Sequence, residues 1–409
     1  MVSYAPSGLE YRSFILQGSI MVRKKAECTG CGACANICPK QAIAMEYDRD
    51  GFLMPFTDKE SCIDCGQCEV VCPVSHTQAY NANKSIPRAY ACWLKDGSKR
   101  ANSTSGGAFT ALAEYVLRQS GVIVGCVMGA DLSAYHTLAF SSDTINSMHG
   151  SKYIQSETRK TYRLIKEHLK RDKVVLFTGC PCQIAGLYSY LQNESFDKLF
   201  TTDLVCHGVA SNKFFVKYIV GKEAKYNSVV SSIRFRSKKR GWNKFTIKLT
   251  FNNGREIYIP SEKDAFMRCY YQRAIYRESC YRCSYAKMPR IGDFTIGDYL
   301  GLPKSVVKKA AFKKGISLIT LNNERAERVF EKINNSLEYF ERPISETTET
   351  NYNLVRPSVQ HPKRNEILAS DTSVEETARR YCRHTWKNKI ASLVGPSAIY
   401  IIRKVLGRT

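Results

Sequence analysis

Between residues 88 and 208, short apolar runs alternate with segments whose apolar residues recur at helical spacing. "AYACWL" from Ala89, "GVIVGCVM" from Gly121, "KVVLFTG" from Lys173 and "LFTTDLVCHG" from Leu199 read as strands. Between them, "STSGGAFTALAEYVLRQSG" predicts a helix with Ser103 or Ser105 as N-cap and Gly121 as terminator. "SETRKTYRLIKEHLKRD" predicts an amphipathic helix with Tyr162, Ile165 and Leu169 on one face. A further helix opens at "CPCQIAGLYSYL", where Ile184, Leu187 and Leu191 share a face. Strands alternating with helices predict an α/β domain with a mainly parallel sheet. In "NKFTIKLTFNNGREIYIP" apolar residues alternate around Asn253-Gly254, which predicts an inserted β-hairpin. From about residue 320 the chain reads as helical and polar.

The 409 residues suffice for two or three domains with cores. No apolar stretch of about eighteen residues occurs and the N-terminus has no signal-peptide core. Residues 1–20 look irregular and are expected to be a poorly ordered extension, with Met21 a sensible start of its own. The net charge of +24 favours acidic or anionic partners, whether substrate, cofactor, protein or membrane surface. Nucleic-acid binding has no motif to support it beyond that charge.

The 17 cysteines are an odd number with no secretion signal, which argues against a disulfide framework and for metal ligation in a reducing, cytoplasmic setting. Residues 28–39, "CTGCGACANICP", and 62–73, "CIDCGQCEVVCP", both follow C-x2-C-x2-C-x3-C-P. This is the two-cluster ferredoxin run, in which the fourth cysteine of each run serves the other cluster. One 4Fe–4S cluster is expected on Cys28, Cys31, Cys34 and Cys72, the other on Cys62, Cys65, Cys68 and Cys38. Zinc knuckles share the C-x2-C pairs but need neither the third cysteine nor the repeated Cys-Pro. An Asp50-Gly51 turn between the runs suits a small hairpin. The expected order is an α+β ferredoxin-type module over 21–80, a polar linker, the α/β domain over 88–330, and a helical, basic region over 331–409.

Cys180 and Cys182, in "LFTGCPCQIAGL", end a strand and open a helix, where α/β sheets place ligands. They suit a redox pair, a nucleophile with a bystander, or part of a cluster. The fixed φ of Pro181 is expected to point the two thiols apart. Cys206 ends the next strand, and Cys280 and Cys283 have ligand spacing. Cys92 and Cys126 lie in apolar strands and are expected in the core. Ser105, Gly106 and Gly107 follow a strand and open a helix, which suits a phosphate cradle or an ordinary cap equally. His207 fits cluster tuning less well than simple packing. The basic run from Arg234 to Lys244 holds Trp242, and a solvated hairpin tip explains it better than a stacking site. The apolar, basic tail from Ser397 offers a membrane-surface contact, although Gly395-Pro396 interrupts it and a docked helix fits better.

The succession "SGGAFTALAEYVL", "GSKYIQS", "LFTGCPCQIAGLYSYL", "DLVCHGV", "IRFRSKKRGW", "SCYRCSYA" and "RIGDFTIGDYLG" resembles the beta-subunit family of coenzyme F-420 hydrogenases and dehydrogenases. The resemblance covers about residues 88–330, with a ferredoxin module in front. It implies an α/β fold that binds FAD and one further 4Fe–4S cluster. It implies Cys182, Cys206, Cys280 and Cys283 as ligands of that third cluster, and leaves Cys180 as an extra thiol. It also implies Ser105, Gly106, Gly107, Lys152, Tyr153 and Asp298 as residues beside the cofactor; on the residues alone, Asp298 serves equally as a turn cap.

The expected function is a flavin- and iron–sulfur-dependent oxidoreductase that passes electrons between clusters, FAD and a two-electron substrate, working with a redox partner protein. No side chain stands out as a general acid or base. The alternative is an electron carrier serving another enzyme, for instance in surface polysaccharide biosynthesis, without a substrate of its own.

Overall fold

The computed structural model describes residues 19–20, 26–74, 83–192, 194, 196–302, 306–307 and 309–383. Most of the expected N-terminal extension, most of the linker, and the tail with its membrane contact lie outside the described residues.

The front module is a small antiparallel sheet of β1 (Ser19–Ile20), β2 (Ile43–Tyr47) and β3 (Leu53–Thr57), in the order β1-β3-β2. The turn between β2 and β3 is tied by Asp48, whose carboxylate accepts from the Asp50 and Phe52 amides at 3.0 Å each. Each cysteine run folds the same way. A glycine in the left-handed region, Gly32 (φ 78) or Gly66 (φ 69), precedes a short helix, Ala33–Ile37 or Gln67–Val70. Only glycine adopts that backbone without a β-carbon penalty.

The main domain begins with β4 (Arg88–Leu94), β5 (Val122–Met128), β6 (Ala134–Ala139), β7 (Ser156–Glu157), β8 (Val175–Gly179) and β9 (Leu199–Leu204). An antiparallel excursion of β10 (Val230–Ser237), β11 (Thr246–Phe251) and β12 (Glu256–Pro260) follows. The chain then returns with β13 (Phe294–Asp298), β14 (Ser317–Leu321) and β15 (Leu337–Arg342). The nine-stranded sheet runs β15-β4-β14-β13-β9-β8-β5-β6-β7. The centre, β13-β9-β8-β5, is parallel. β14, β4 and β15 pair antiparallel on one side and β6 antiparallel to β5 on the other. The sheet is thus mixed, and parallel only where helices cross over.

The helix Ala108–Leu117 buries Ala108, Ala111, Leu112 and Val116 against Tyr90, Cys92 and Ile123 on one face of the sheet. Helices Thr161–Lys170 and Pro181–Leu191 cover the other face, packing Tyr162, Ile165, Leu169, Ile184 and Leu187 on Val124, Val175 and Phe177. Each fully buried aliphatic side chain there contributes roughly 1.5–3 kcal/mol. That same cluster includes Cys31, Ala33 and Val71, so the front module shares a core with the main domain.

Several expectations change. The region past 330 is not purely helical: β15 adds an edge to the sheet, with the pairing of Leu337 opposite Leu94 to Arg342 opposite Ala89. Its polar alternation hides it in the sequence. The inserted hairpin gains a third strand, β10. Trp242 is not at a solvated tip: it is 3 % exposed and packs with Tyr299, Leu302 and Leu318. Cys92 is buried as core, whereas Cys126 is only half-buried, on a cavity wall.

Candidate functional site

The front cysteines gather in two groups that exchange members. Cys28, Cys31 and Cys72 all act electrostatically on Cys34, whose thiol burial pushes well up. Burial likewise pushes Cys31 up to about 12. Cys38 instead joins Cys62, Cys65 and Cys68 around a hollow at the surface, where Cys65 is exposed. The Gly30 amide donates to Cys28 Sγ at 3.4 Å and the Ala42 amide to Cys38 Sγ at 3.3 Å.

In the main domain, Pro181 starts the helix Pro181–Leu191 and Cys180 is its N-cap. Gln183 locks the turn, its Oε1 accepting from the Cys180 amide at 2.9 Å and its Nε2 donating to the Ser156 carbonyl at 3.1 Å. Cys206 follows β9, and Cys280 and Cys283 lie on and just after the 3-10 turn Glu278–Arg282. The five thiols of Cys180, Cys182, Cys206, Cys280 and Cys283 line one cavity of about 50 Å³. Cys180 and Cys182 therefore share a wall, rather than diverging. Pro181 fixes only one backbone angle, and the helix turn brings both side chains round to the same hollow.

Burial drives Cys182 well above the usual thiol range and Cys280 to about 12. The Cys180 thiol hydrogen-bonds to Cys206, which holds Cys180 up and Cys206 down. Arg290 also lines the cavity; its guanidinium is paired with Asp203 at 2.6 Å and helps to hold Cys206 down, while burial pushes the Cys283 thiol up against it. Among the described residues, no three His, Cys, Asp or Glu side chains are gathered tightly enough for a lone metal ion. A four-iron cube spreads its thiolates more widely, and this all-sulfur donor set suits it.

The two thiol systems are held against each other. A β-carbon at Gly186 would meet Cys31 Sγ at 3.0 Å. The Tyr162 hydroxyl lies 2.9 Å from the Cys31 carbonyl and 2.8 Å from that of Gln183. Arg277, three residues before Cys280, donates to the Cys28 carbonyl at 2.6 Å and the Leu53 carbonyl at 2.8 Å.

Beyond Cys180 and Cys206, a larger cavity of about 470 Å³ opens at the carboxyl ends of β8, β9 and β13. That is where α/β sheets bind ligands, and the size suits a small-molecule or cofactor site. Ser105, Gly107, Lys152, Tyr153 and Asp298 line it; Gly106 does not. The Gly106 amide donates to Ser317 Oγ at 2.9 Å, and a β-carbon there would stand 2.3 Å from the Cys92 carbonyl oxygen. Gly106 is a close-packing residue, not a phosphate donor. The Ser105 hydroxyl is likewise spent on the Ile316 carbonyl at 2.6 Å. Gly107, at φ 101, is the N-cap of the helix Ala108–Leu117 and does face the cavity.

Lys152 turns its ammonium onto three backbone carbonyls, of Cys126, Met148 and His149. Burial lowers its pKa. His207 is packed, with Nδ1 against Asn353 Oδ1 at 2.5 Å, yet it lines both cavities. Composition and spacing missed Arg236, which pairs with Asp298 at 2.8 Å and reaches the Tyr153 hydroxyl at 3.1 Å. Burial works against its charge, but Asp298 and Tyr153 outweigh that and hold it protonated. Its Nη2 is buried with no hydrogen-bond partner in the protein. The signal lay in the basic run "RFRSKKRGW", read there as solvated. His149 was missed too; its Nε2 lies 3.1 Å from Thr110 Oγ1 on the cavity wall.

Family models match both parts of the chain. Residues 27–76 match a 4Fe-4S dicluster domain. Residues 89–162 match the N-terminal part, and residues 172–347 the C terminus, of the coenzyme F420 hydrogenase/dehydrogenase beta subunit. No curated protein matches. A chain of the F420-reducing [NiFe] hydrogenase complex from Methanosarcina barkeri is similar at 17% identity, with a TM-score of 0.44, over 74% of this chain and 92% of that one. Among the described residues no helix is long and apolar enough to cross a membrane. With both halves of one family following a dicluster iron–sulfur domain, the chain belongs to the coenzyme F420 hydrogenase/dehydrogenase beta-subunit family and is an iron–sulfur electron-transfer protein of oxidoreductase type.

Proposed function

We propose that the protein is an iron–sulfur flavoprotein that moves electrons through three 4Fe–4S clusters to an FAD in the larger cavity, and there exchanges them with a two-electron substrate. One observation carries this reading: Cys180, Gln183, Cys206 and His207 line both the thiol cavity and the larger one, so a cluster and a cofactor would meet across a shared wall.

Each step falls to named residues. Cys38, Cys62, Cys65 and Cys68 hold the outer cluster, where exposed Cys65, Ile63 and Val70 offer a redox partner protein a docking point. Cys28, Cys31, Cys34 and Cys72 hold the inner one. Cys182, Cys206, Cys280 and Cys283 hold the third, with Cys180 beside it. Cys126, Tyr270 and Tyr276 wall the larger cavity, and Arg236 sets a cation in that wall, suited to an anionic or carbonyl oxygen. The amides at the start of the helix Ala108–Leu117 suit a phosphate. FAD bound there supplies the conversion between single-electron and paired-electron transfer.

The test is anaerobic purification followed by identification of the bound cofactor by spectrum and mass, with iron and sulfide counted. FAD with three clusters' worth of iron is the expected result. Clusters without flavin would instead make the protein an electron carrier for another enzyme.

A further inference from the structure

Tyr285 stands in the gap between the inner front-module thiols and the main-domain thiols. Its ring is 7 % exposed and packs in one apolar cluster with Cys31, Val71, Tyr162 and Ile184. It also lines the small cavity with Cys182 and Cys283. The thiols acting on it come from both sides: Cys31 and Cys72 from the front module, Cys182 and Cys283 from the main domain. Its position is built rather than incidental. The Tyr285 carbonyl accepts from Arg290 Nη1 at 2.9 Å, and Arg290 is held by Asp203. The amides of Tyr285 and Ala286 both bond to Cys283.

The hydroxyl of Tyr285 is buried and has no partner in the protein. Leaving such a group unsatisfied is costly, and phenylalanine would fill the same space without that cost. Nearby Tyr162 shows the contrast, since its hydroxyl has two carbonyl oxygens within reach. The titratable groups that face Tyr285 are thiols, two from each side.

We propose that the Tyr285 hydroxyl donates a hydrogen bond to sulfur of a bound iron–sulfur cluster in this gap and so sets that cluster's reduction potential. This rests on the cluster assignments under the proposed function. A donor to sulfur stabilises the more negatively charged, reduced state and raises the potential. The step it governs is a single-electron exchange: the cluster on one side is oxidised as the cluster on the other is reduced, and no proton moves. Tyr285 acts as a tuning residue and carries no electron itself.

The test compares the full-length protein with Tyr285→Phe by iron and sulfide content and by redox titration followed with electron paramagnetic resonance. Iron should be unchanged, and one of the two clusters flanking the gap should become harder to reduce by roughly tenfold, about 59 mV for one electron. Unshifted potentials at full iron content would overturn the proposal. Loss of iron in Tyr285→Phe would also overturn it, since the tyrosine would then serve assembly rather than tuning. If the unsubstituted protein holds iron for only two clusters, the third cluster fails, and the potential of the inner front-module cluster still decides the role of Tyr285.

Discussion

Gly186 lies directly against Cys31: a β-carbon on Gly186 would stand 2.9 Å from Cys31 Cβ and 3.0 Å from its Sγ. Glycine inside a helix costs about 0.5–1 kcal/mol relative to alanine. Here it lets the helix that carries Cys182 approach a cysteine of the front module.

Gly186→Val should therefore keep both front-module clusters yet slow electron passage into the main domain. Overpacking of this kind costs about 1–3 kcal/mol, so the protein should still fold. Freeze-quench electron paramagnetic resonance after mixing with a one-electron reductant would follow each cluster in turn. A wild-type rate would show that electrons do not cross at this contact.

Cys182→Ser should remove one cluster's worth of iron, while Cys180→Thr should retain it. Both thiols line the cavity, but the Cys180 thiol hydrogen-bonds to Cys206 and opens as well onto the larger cavity. Spectra of each variant after deletion of the front module would isolate the main-domain signal. The reverse pattern would exchange the roles of the two cysteines.

The paired glycines should separate packing from binding. Gly106→Ala would drive a β-carbon into the Cys92 carbonyl and the Ser317 amide, both backbone, and should lower the melting temperature sharply. Gly107→Ala meets mainly the movable Leu94 side chain, at 2.4 Å, and an unfavourable φ. It should be milder for stability and should reduce flavin content. Equal melting temperatures for the two variants would contradict this division.

Arg236→Leu should cost about 3–5 kcal/mol, the usual penalty for breaking a buried ion pair by removing one partner, here leaving Asp298 unpaired. It should also release flavin, because Arg236 lines the cavity and its charge is lost there. Flavin-to-protein ratio and denaturant titration measure the two effects independently. Full flavin retention would place the cofactor elsewhere.

Acid should destabilise the fold through buried histidine. Burial, then Lys152 and Arg234, depress His149 from its ordinary 6.5 to about 4, and burial takes His136 to about 4 as well. The unfolded chain takes up protons as pH falls through 6.5, while the folded protein stays neutral at these sites until about 4. Stability therefore drops as pH falls across that window and levels below it. The loss should be smaller in His149→Gln, read as the pH dependence of the melting temperature. An identical pH profile would mean that His149 titrates normally in the folded state.

Features that depend on neighbours along the chain were legible before any fold was known. The cysteine spacing gathers ligands because three thiols within seven residues, with Gly30 and Gly32 between them, need only local backbone turns. Apolar periodicity marked β5, β8, β9 and the helices that cover them for the same local reason. Contacts between distant segments were decided by the tertiary structure alone. β15 is a strand because β4 offers it unpaired backbone groups, which outweighs a polar pattern. Arg236 and Trp242 are buried because β10 and the loop after it fold onto the main sheet, where an ion pair and an apolar pocket await them. Gly106 and Gly107, adjacent and alike in sequence, part company because Ser317, 211 residues on from Gly106, occupies the space beside one of them. Tyr285 comes to lie between two sets of thiols because Cys31 and Cys72 reach it from the front of the chain and Cys182 from its middle. Spacing along the chain carries no signal for such meetings; they follow from which surfaces exclude water together.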